Sequence, residues 1–250
     1  PIVRGEDLIV FMDGVEEWIS AKPGERFFYL NEGYVLLGEI ISKVSGMSYE
    51  QFIKDSILKP VRMYRTCFTK EEVEEYGEWA VPYVISSDGR IVATKFPYGI
   101  TADGGLISNI LDLSRYLRMY INRGKFYGEQ IISEDLINLM EKEHIRQPVE
   151  SKYELFYGYG WSIIKNFHGH KLIQHSGSVL VHTAYVGYIP DEKIGVVILA
   201  NAKGYSLSLM GHYVLAYLLG ENPEKLDFVV HDRILKRLEG TYYTYKKTYR

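Results

Sequence analysis

The sequence predicts a mixed α+β protein, an antiparallel β-sheet flanked by helices and joined to a mainly helical subdomain. Up to about residue 155 apolar residues recur mostly at helical spacing, as in Val35-Leu36-Leu37-Gly38-Glu39-Ile40-Ile41. Beyond it they fall into short runs separated by turn signals. The connections between those runs are short, which favours antiparallel neighbours. The chain is therefore read as a helical part over 1–155, a sheet with a C-terminal helix over 156–235, and a linker or the first strand of a further β domain over 236–250.

The bulk numbers bound what this fold serves. The 250 residues are 46% hydrophobic and 24% charged, enough for one large or two small domains with a proper core. A net charge of -3 supplies no basic field, so no nucleic-acid partner is expected. Cys67 is the sole cysteine, which excludes an internal disulfide framework and a Cys-rich metal site. No apolar run reaches membrane-spanning length, and no membrane span is expected. The opening Pro1-Ile2-Val3-Arg4-Gly5 is not a signal peptide, and a start at Pro instead of Met reads as a piece of something longer. The 22 tyrosines, with many Glu, Lys and Ile, suit a heat-stable protein.

The helical part divides as follows. Glu6 to Met12 and Val15 to Ile19 alternate acids with apolar residues and predict surface helix. Pro23-Gly24 is a turn, and Phe27 to Leu30 an extended segment entering a helix over 33–45, with Asn31 placed to cap it and Gly46 to stop it. Its stripe is Leu36, Leu37, Ile40, Ile41 and Val44. Ser48-Tyr49-Glu50-Gln51 is a capping-box pattern opening a helix that closes before Pro60. Ser87-Asp88-Gly89-Arg90 predicts a hairpin between Ala80–Ile85 and Ile91–Lys95. A Gly-bearing loop over 101–108 precedes a helix running through Leu111 and Tyr120 to Gly124. Ser133 opens another that ends near His144.

Four strands follow: Tyr157–Ile164, Lys171–His175, His182–Ile189 and Ile194–Ala200. The turns fall at Asn166–Gly169, Ser176–Ser178 and Pro190–Lys193. Tyr205 to Leu219 is an apolar helix that covers one face of the sheet, and Leu238 to Tyr245 a strand.

The candidate chemistry begins at Tyr29 and Asn31. Two apart in an extended segment, they face the same side while Leu30 turns into protein. A phenol beside a carboxamide is an acid/base pair once a cationic neighbour stabilises the phenolate. The same residues also fit a buried tyrosine and a helix cap. The whole stretch, Pro23-Gly24-x-x-Phe27-x-Tyr29-x-Asn31-x-Gly33-Tyr34-x-Leu36-Leu37-Gly38-x-Ile40-Ile41, resembles the second active-site motif of the serine β-lactamase and penicillin-binding-protein family. The resemblance is to its class C-like branch, which includes D-amino-acid peptidases and esterases. Gly104-Gly105-Leu106 before a helix resembles the same family. So does His175-Ser176-Gly177-Ser178, which is similar to its third motif, Lys/His-Thr/Ser-Gly.

The resemblance implies a serine acyl hydrolase of the penicillin-recognising type working through an acyl-enzyme: a D-amino-acid peptidase, carboxypeptidase, esterase or β-lactamase. It implies Tyr29 as the proton carrier, Asn31 holding the acyl side chain, and His175 meeting a carboxylate or assisting proton transfer. Ser176 and Gly177 would line the cleft, with the Ser178 N–H as half of an oxyanion hole. His in place of Lys at 175 points to the peptidase and esterase members, and a neutral His binds a carboxylate less strongly. Substrate would be a short peptide with D-residues or an ester; no metal and no cofactor are implied. The family's first motif, Ser-x-x-Lys, has one match, Ser56-Ile57-Leu58-Lys59. It follows Tyr-x-Asn instead of preceding it, and is read as coincidence.

The chain is therefore expected to lack the nucleophile, its lysine and two strands, and to be inactive until an N-terminal segment of the same or another chain completes the site. The alternative is a non-catalytic ligand-binding or sensory module on the same fold. His168-x-His170 has metal-pair spacing but no third ligand nearby, and reads as a solvated loop. Tyr76, Trp79 and Tyr83 fit a substrate channel or simple packing.

Overall fold

Alternation along the later strands builds the centre of the molecule. A computed structural model describes residues 5–13, 21–86, 88–96, 98, 102–179, 181–204, 206–243 and 248–249. Helix α1 (Gly5–Met12) buries Leu8. The second acidic stretch expected to be helical, Val15–Ile19, lies outside the described residues.

Helix α2 (Asn31–Ser45) starts two residues before the expected position and ends as expected at Gly46, whose left-handed φ of 70° lets its N–H reach the Ser42 carbonyl. Asn31 is not its cap. Leu30 holds that position with extended backbone and no side-chain bond, and Asn31 is the first helical residue. The apolar stripe is split: Gly38 is the buried position, close against Ala102 and Tyr49, while Leu37, Ile40 and Val44 are exposed at 50%, 56% and 84%. Ser48 caps α3 (Tyr49–Ile53) by accepting from the Gln51 N–H at 3.2 Å. The helix widens into a π-turn over Lys54–Leu58 before Pro60. A full capping box appears instead at Thr69, opening α4 (Lys70–Glu75).

The expected hairpin forms from β1 (Tyr83–Ile85) and β2 (Ile91–Ala93), paired Tyr83 to Ala93, with Ser87 outside the described residues. Helix α5 (Ile110–Ile121) is capped by Asn109 and followed by a small ribbon, β3 (Lys125–Phe126) and β4 (Glu129–Gln130). Helix α6 (Glu134–Met140), capped by Ser133, ends before the expected His144. The Met140 carbonyl is captured by the Tyr159 N–H at 3.0 Å, and Glu141 turns inward to Arg123 and Tyr188.

The sheet has six antiparallel strands: β5 (Ile145–Arg146), β6 (Leu155–Tyr157), β7 (Ser162–Phe167), β8 (His170–Val179), β9 (His182–Ile189) and β10 (Ile194–Ala200). They lie side by side in chain order, with β5 and β10 at the edges. Two expectations need correcting here. The predicted strand Tyr157–Ile164 is broken at Gly158 to Gly160: Gly160 takes φ 77°, and a Cβ on Gly158 would lie 2.1 Å from the Met140 carbonyl oxygen. The predicted turn Ser176–Ser178 is strand, because β8 pairs with β9 through Ser176↔Tyr185 to Val179↔His182.

Register places Ile163 opposite Ile173 and Ile173 opposite Tyr188, on a face covered by Leu117, Met119 and Tyr120 of α5. Ile164, Leu172 and Ile189 point the other way, onto Leu215 and Ala216 of α7 (Leu207–Leu218). The sheet is thus the middle of three layers. A helix not expected from the sequence, α8 (Asp227–Leu238), follows a 3₁₀ turn at Pro223–Lys225. The tail is a ribbon of β11 (Tyr242–Tyr243) and β12 (Thr248–Tyr249) in place of the longer strand expected from Leu238. Among the described residues no helix is long and apolar enough to cross a membrane.

Candidate active site

The extended segment before α2 carries Phe27 and Tyr29 onto one side, as two-residue spacing dictates. Both rings meet Tyr157 at the end of β6, Phe27 at 5.4 Å between centroids and Tyr29 edge-on at 6.2 Å. The opposite side does not turn into protein as expected for Leu30. Phe28 and Leu30 are 77% and 40% exposed. The Tyr29 ring stands 6.1 Å from the imidazole of His175, so the two residues singled out on separate halves of the sequence meet at one corner of the molecule.

His175 lies where β8 outruns its neighbour. β7 pairs with β8 only as far as Ser162↔Gln174, whereas β9 accompanies β8 to Val179. From His175 onward no described strand pairs with the β7 side of β8, so every second backbone N–H there lacks a ladder partner among the described residues. All three of Ser176, Gly177 and Ser178 are exposed, and the protein itself leaves room for a Cβ on Gly177, with Ala184 Cβ the nearest atom at 3.6 Å. Asn31 is exposed on the first turn of α2 and makes no hydrogen bond to the Tyr29–His175 pair.

The imidazole is fully engaged. Its Nδ1 is 2.7 Å from the Ser176 carbonyl oxygen and its Nε2 is 2.8 Å from the Tyr157 hydroxyl. Burial lowers the His175 pKa below its usual value, only partly offset by the Ser176 carbonyl, so the ring is neutral at neutral pH. Burial likewise raises the Tyr29 phenol, with Tyr34 and Asp103 adding to the effect. The cation that would favour a phenolate is not among the described residues acting on Tyr29, and the phenol stays protonated.

Tyr157 and Tyr34 escaped the sequence reading. Tyr34 sits three residues after Asn31, on the same helical face, which is a signal the spacing contains. Tyr157 reaches His175 only through the order of β6, β7 and β8, which no local pattern reveals. The discarded candidates take no part in the contacts among Tyr29, Tyr157 and His175. Lys59 is 63% exposed and pairs with Asp55 at 2.5 Å; Tyr76 packs under the Arg65 guanidinium. His168 and His170 face Glu221 and Glu192 at 3.7 and 3.5 Å, and among the described residues no three potential metal ligands converge.

Comparison with known proteins identifies the fold and the family. An octameric penicillin-binding protein homologue from Pyrococcus abyssi superposes with a TM-score of 0.92 at 53% identity, over 98% of this chain and 55% of that one. A Bacillus subtilis (strain 168) penicillin-binding protein is 29% identical over 196 residues, 72% of this chain and 41% of its own length. A D-amino acid amidase from Ochrobactrum anthropi shares the fold at a TM-score of 0.61 and 20% identity, over 78% of this chain and 56% of that one. The chain thus spans about half, or less, of the length of these relatives. The Beta-lactamase family model matches residues 14–218, from before the Tyr29 segment to the end of α7, and the chain belongs to that family.

Proposed function

We propose that this chain is part of a serine acyl hydrolase that cleaves a short peptide with D-residues, or an ester, through an acyl-enzyme. The observation that carries the reading is the 6.1 Å approach of Tyr29 to His175 beside the unpaired side of β8. A planar acyl group laid along Ser176–Ser178 would meet backbone N–H donors there, and the Ser178 N–H would stabilise the developing oxyanion. Tyr29, protonated in this structure, would exchange its proton once the nucleophile and its lysine arrive from a segment outside these 250 residues. The lysine would supply the cation the phenol now lacks. β10, at the sheet edge with its apolar run Ile194–Ala200, is where the strands of such a segment would pair. Asn31 would orient the acyl side chain, and His175, being neutral, would favour uncharged acyl groups over carboxylates.

The test is covalent labelling of the full-length protein with a fluorophosphonate and with a β-lactam, followed by peptide mass mapping. The reading predicts one labelled serine in a Ser-x-x-Lys outside this sequence. Absence of any adduct would leave a non-catalytic ligand-binding module, a reading favoured by the protonated Tyr29, on which no cation acts among the described residues.

A further inference from the structure

Tyr157 makes a contact the proposed acyl-transfer chemistry does not use. The Ser176 carbonyl can only accept, so His175 Nδ1, 2.7 Å away, must carry a proton. A neutral imidazole has one N–H, so Nε2 is a lone pair and the Tyr157 hydroxyl, at 2.8 Å, donates to it. Tyr157 has then spent its only proton. The proton thus points from β6 to β8. The Tyr157 ring cannot swing away easily, because Phe27 and Tyr29 pack against it at 5.4 and 6.2 Å and His175 meets it edge-on at 5.9 Å.

We propose that Tyr157 is a positioning residue of the site, which locks His175 as the Nδ1–H tautomer. An imidazole held this way offers a bound group neither a charge nor a free ring N–H. The corner would then accept an amide or ester group and give no ionic grip to a carboxylate. The titratable groups that face the ring are the phenols of Tyr29 and Tyr157, with Tyr34 one step further and Asp103 acting on Tyr29. No ion pair involves His175 among the described residues. Burial of the ring supports the neutral form. The consequences for turnover rest on the acyl-hydrolase reading; the tautomer does not.

The experiment is ¹⁵N NMR of histidine-labelled full-length protein, with His175→Asn used to assign the resonance. Wild type should show a pure Nδ1–H tautomer. Tyr157→Phe keeps the ring but removes the donor, and should shift His175 toward a mixture of tautomers. In the same variant kcat for a neutral aryl ester should fall about 10- to 100-fold with KM changed less than about threefold, the pattern of a lost supporting hydrogen bond. Should Tyr157→Phe fail to fold, the wild-type resonance carries the test. An Nε2–H or mixed tautomer in wild type, or an unchanged His175 tautomer in the folded Tyr157→Phe protein, overturns the proposal. A shifted tautomer in a protein that hydrolyses no ester upholds it and removes the hydrolase reading instead.

Discussion

On β8, Ile173 is fully buried between the neighbouring strands and α5, whereas on α2 Ile40 is 56% exposed, and each belongs to an element that forms one wall of the candidate site. The sheet wall has satisfied polar groups beneath it: Gln174, next to His175, accepts from both the Tyr185 hydroxyl and His212 Nε2 at 2.8 Å. The helix wall has Leu37, Ile40 and Val44 on an exposed face, and the segment leading into it meets the sheet through the rings of Phe27 and Tyr29. The difference teaches that the sheet corner is rigid through its own packing, while the helix wall meets it through aromatic contacts. Large exposed apolar area on one wall only is also what a functional or docking face looks like.

The comparison can be broken first at its strong side. Ile173→Ala should cost about 2–5 kcal/mol of unfolding free energy in urea, because the space around a fully buried side chain cannot collapse. A loss below ~1 kcal/mol would mean the sheet wall is looser than its packing indicates.

A pH series probes the buried histidine under that wall. His212 is held down to about 4 by burial, whereas in the unfolded chain it titrates near ~6.5. The unfolded state therefore binds an extra proton between those values, and stability falls as pH drops from about 6.5 to about 4. The loss is at most roughly 3 kcal/mol, less where solvent reaches the ring. His175 and His182, both lowered by burial, add slope of the same sign. His212→Gln should flatten the curve, and a wild-type stability independent of pH across that window would refute the assignment. The weak side gives the smallest effect: Ile40→Ala in this chain should stay within about 0.5 kcal/mol, since its side chain is already half in water.

Much of the fold was legible because its signals are local. Alternation marked β9 and β10 to the residue, Gly46 stopped α2, and Ser48 and Ser133 cap helices by the rules their side chains obey. What was missed depends on distant partners. The break at Gly158 needs the Met140 carbonyl, and β8 continues through Ser176–Val179 only because β9 lies beside it, overriding the turn-like composition of Ser-Gly-Ser. Of the site, Tyr29 and His175 were readable from motif order, and the structure puts their rings 6.1 Å apart. The Tyr157–His175 contact was not, since it joins β6 to β8 across β7.

The most direct test of the account is the turnover of Tyr29→Phe in the full-length protein, read beside its thermal unfolding. Removing one half-exposed hydroxyl should leave the melting curve in place and lower kcat/KM for an ester substrate by about 10²-fold or more, as expected for a lost proton carrier. A folded Tyr29→Phe enzyme with the wild-type rate would contradict it, because the phenol facing His175 would then have no part in the chemistry.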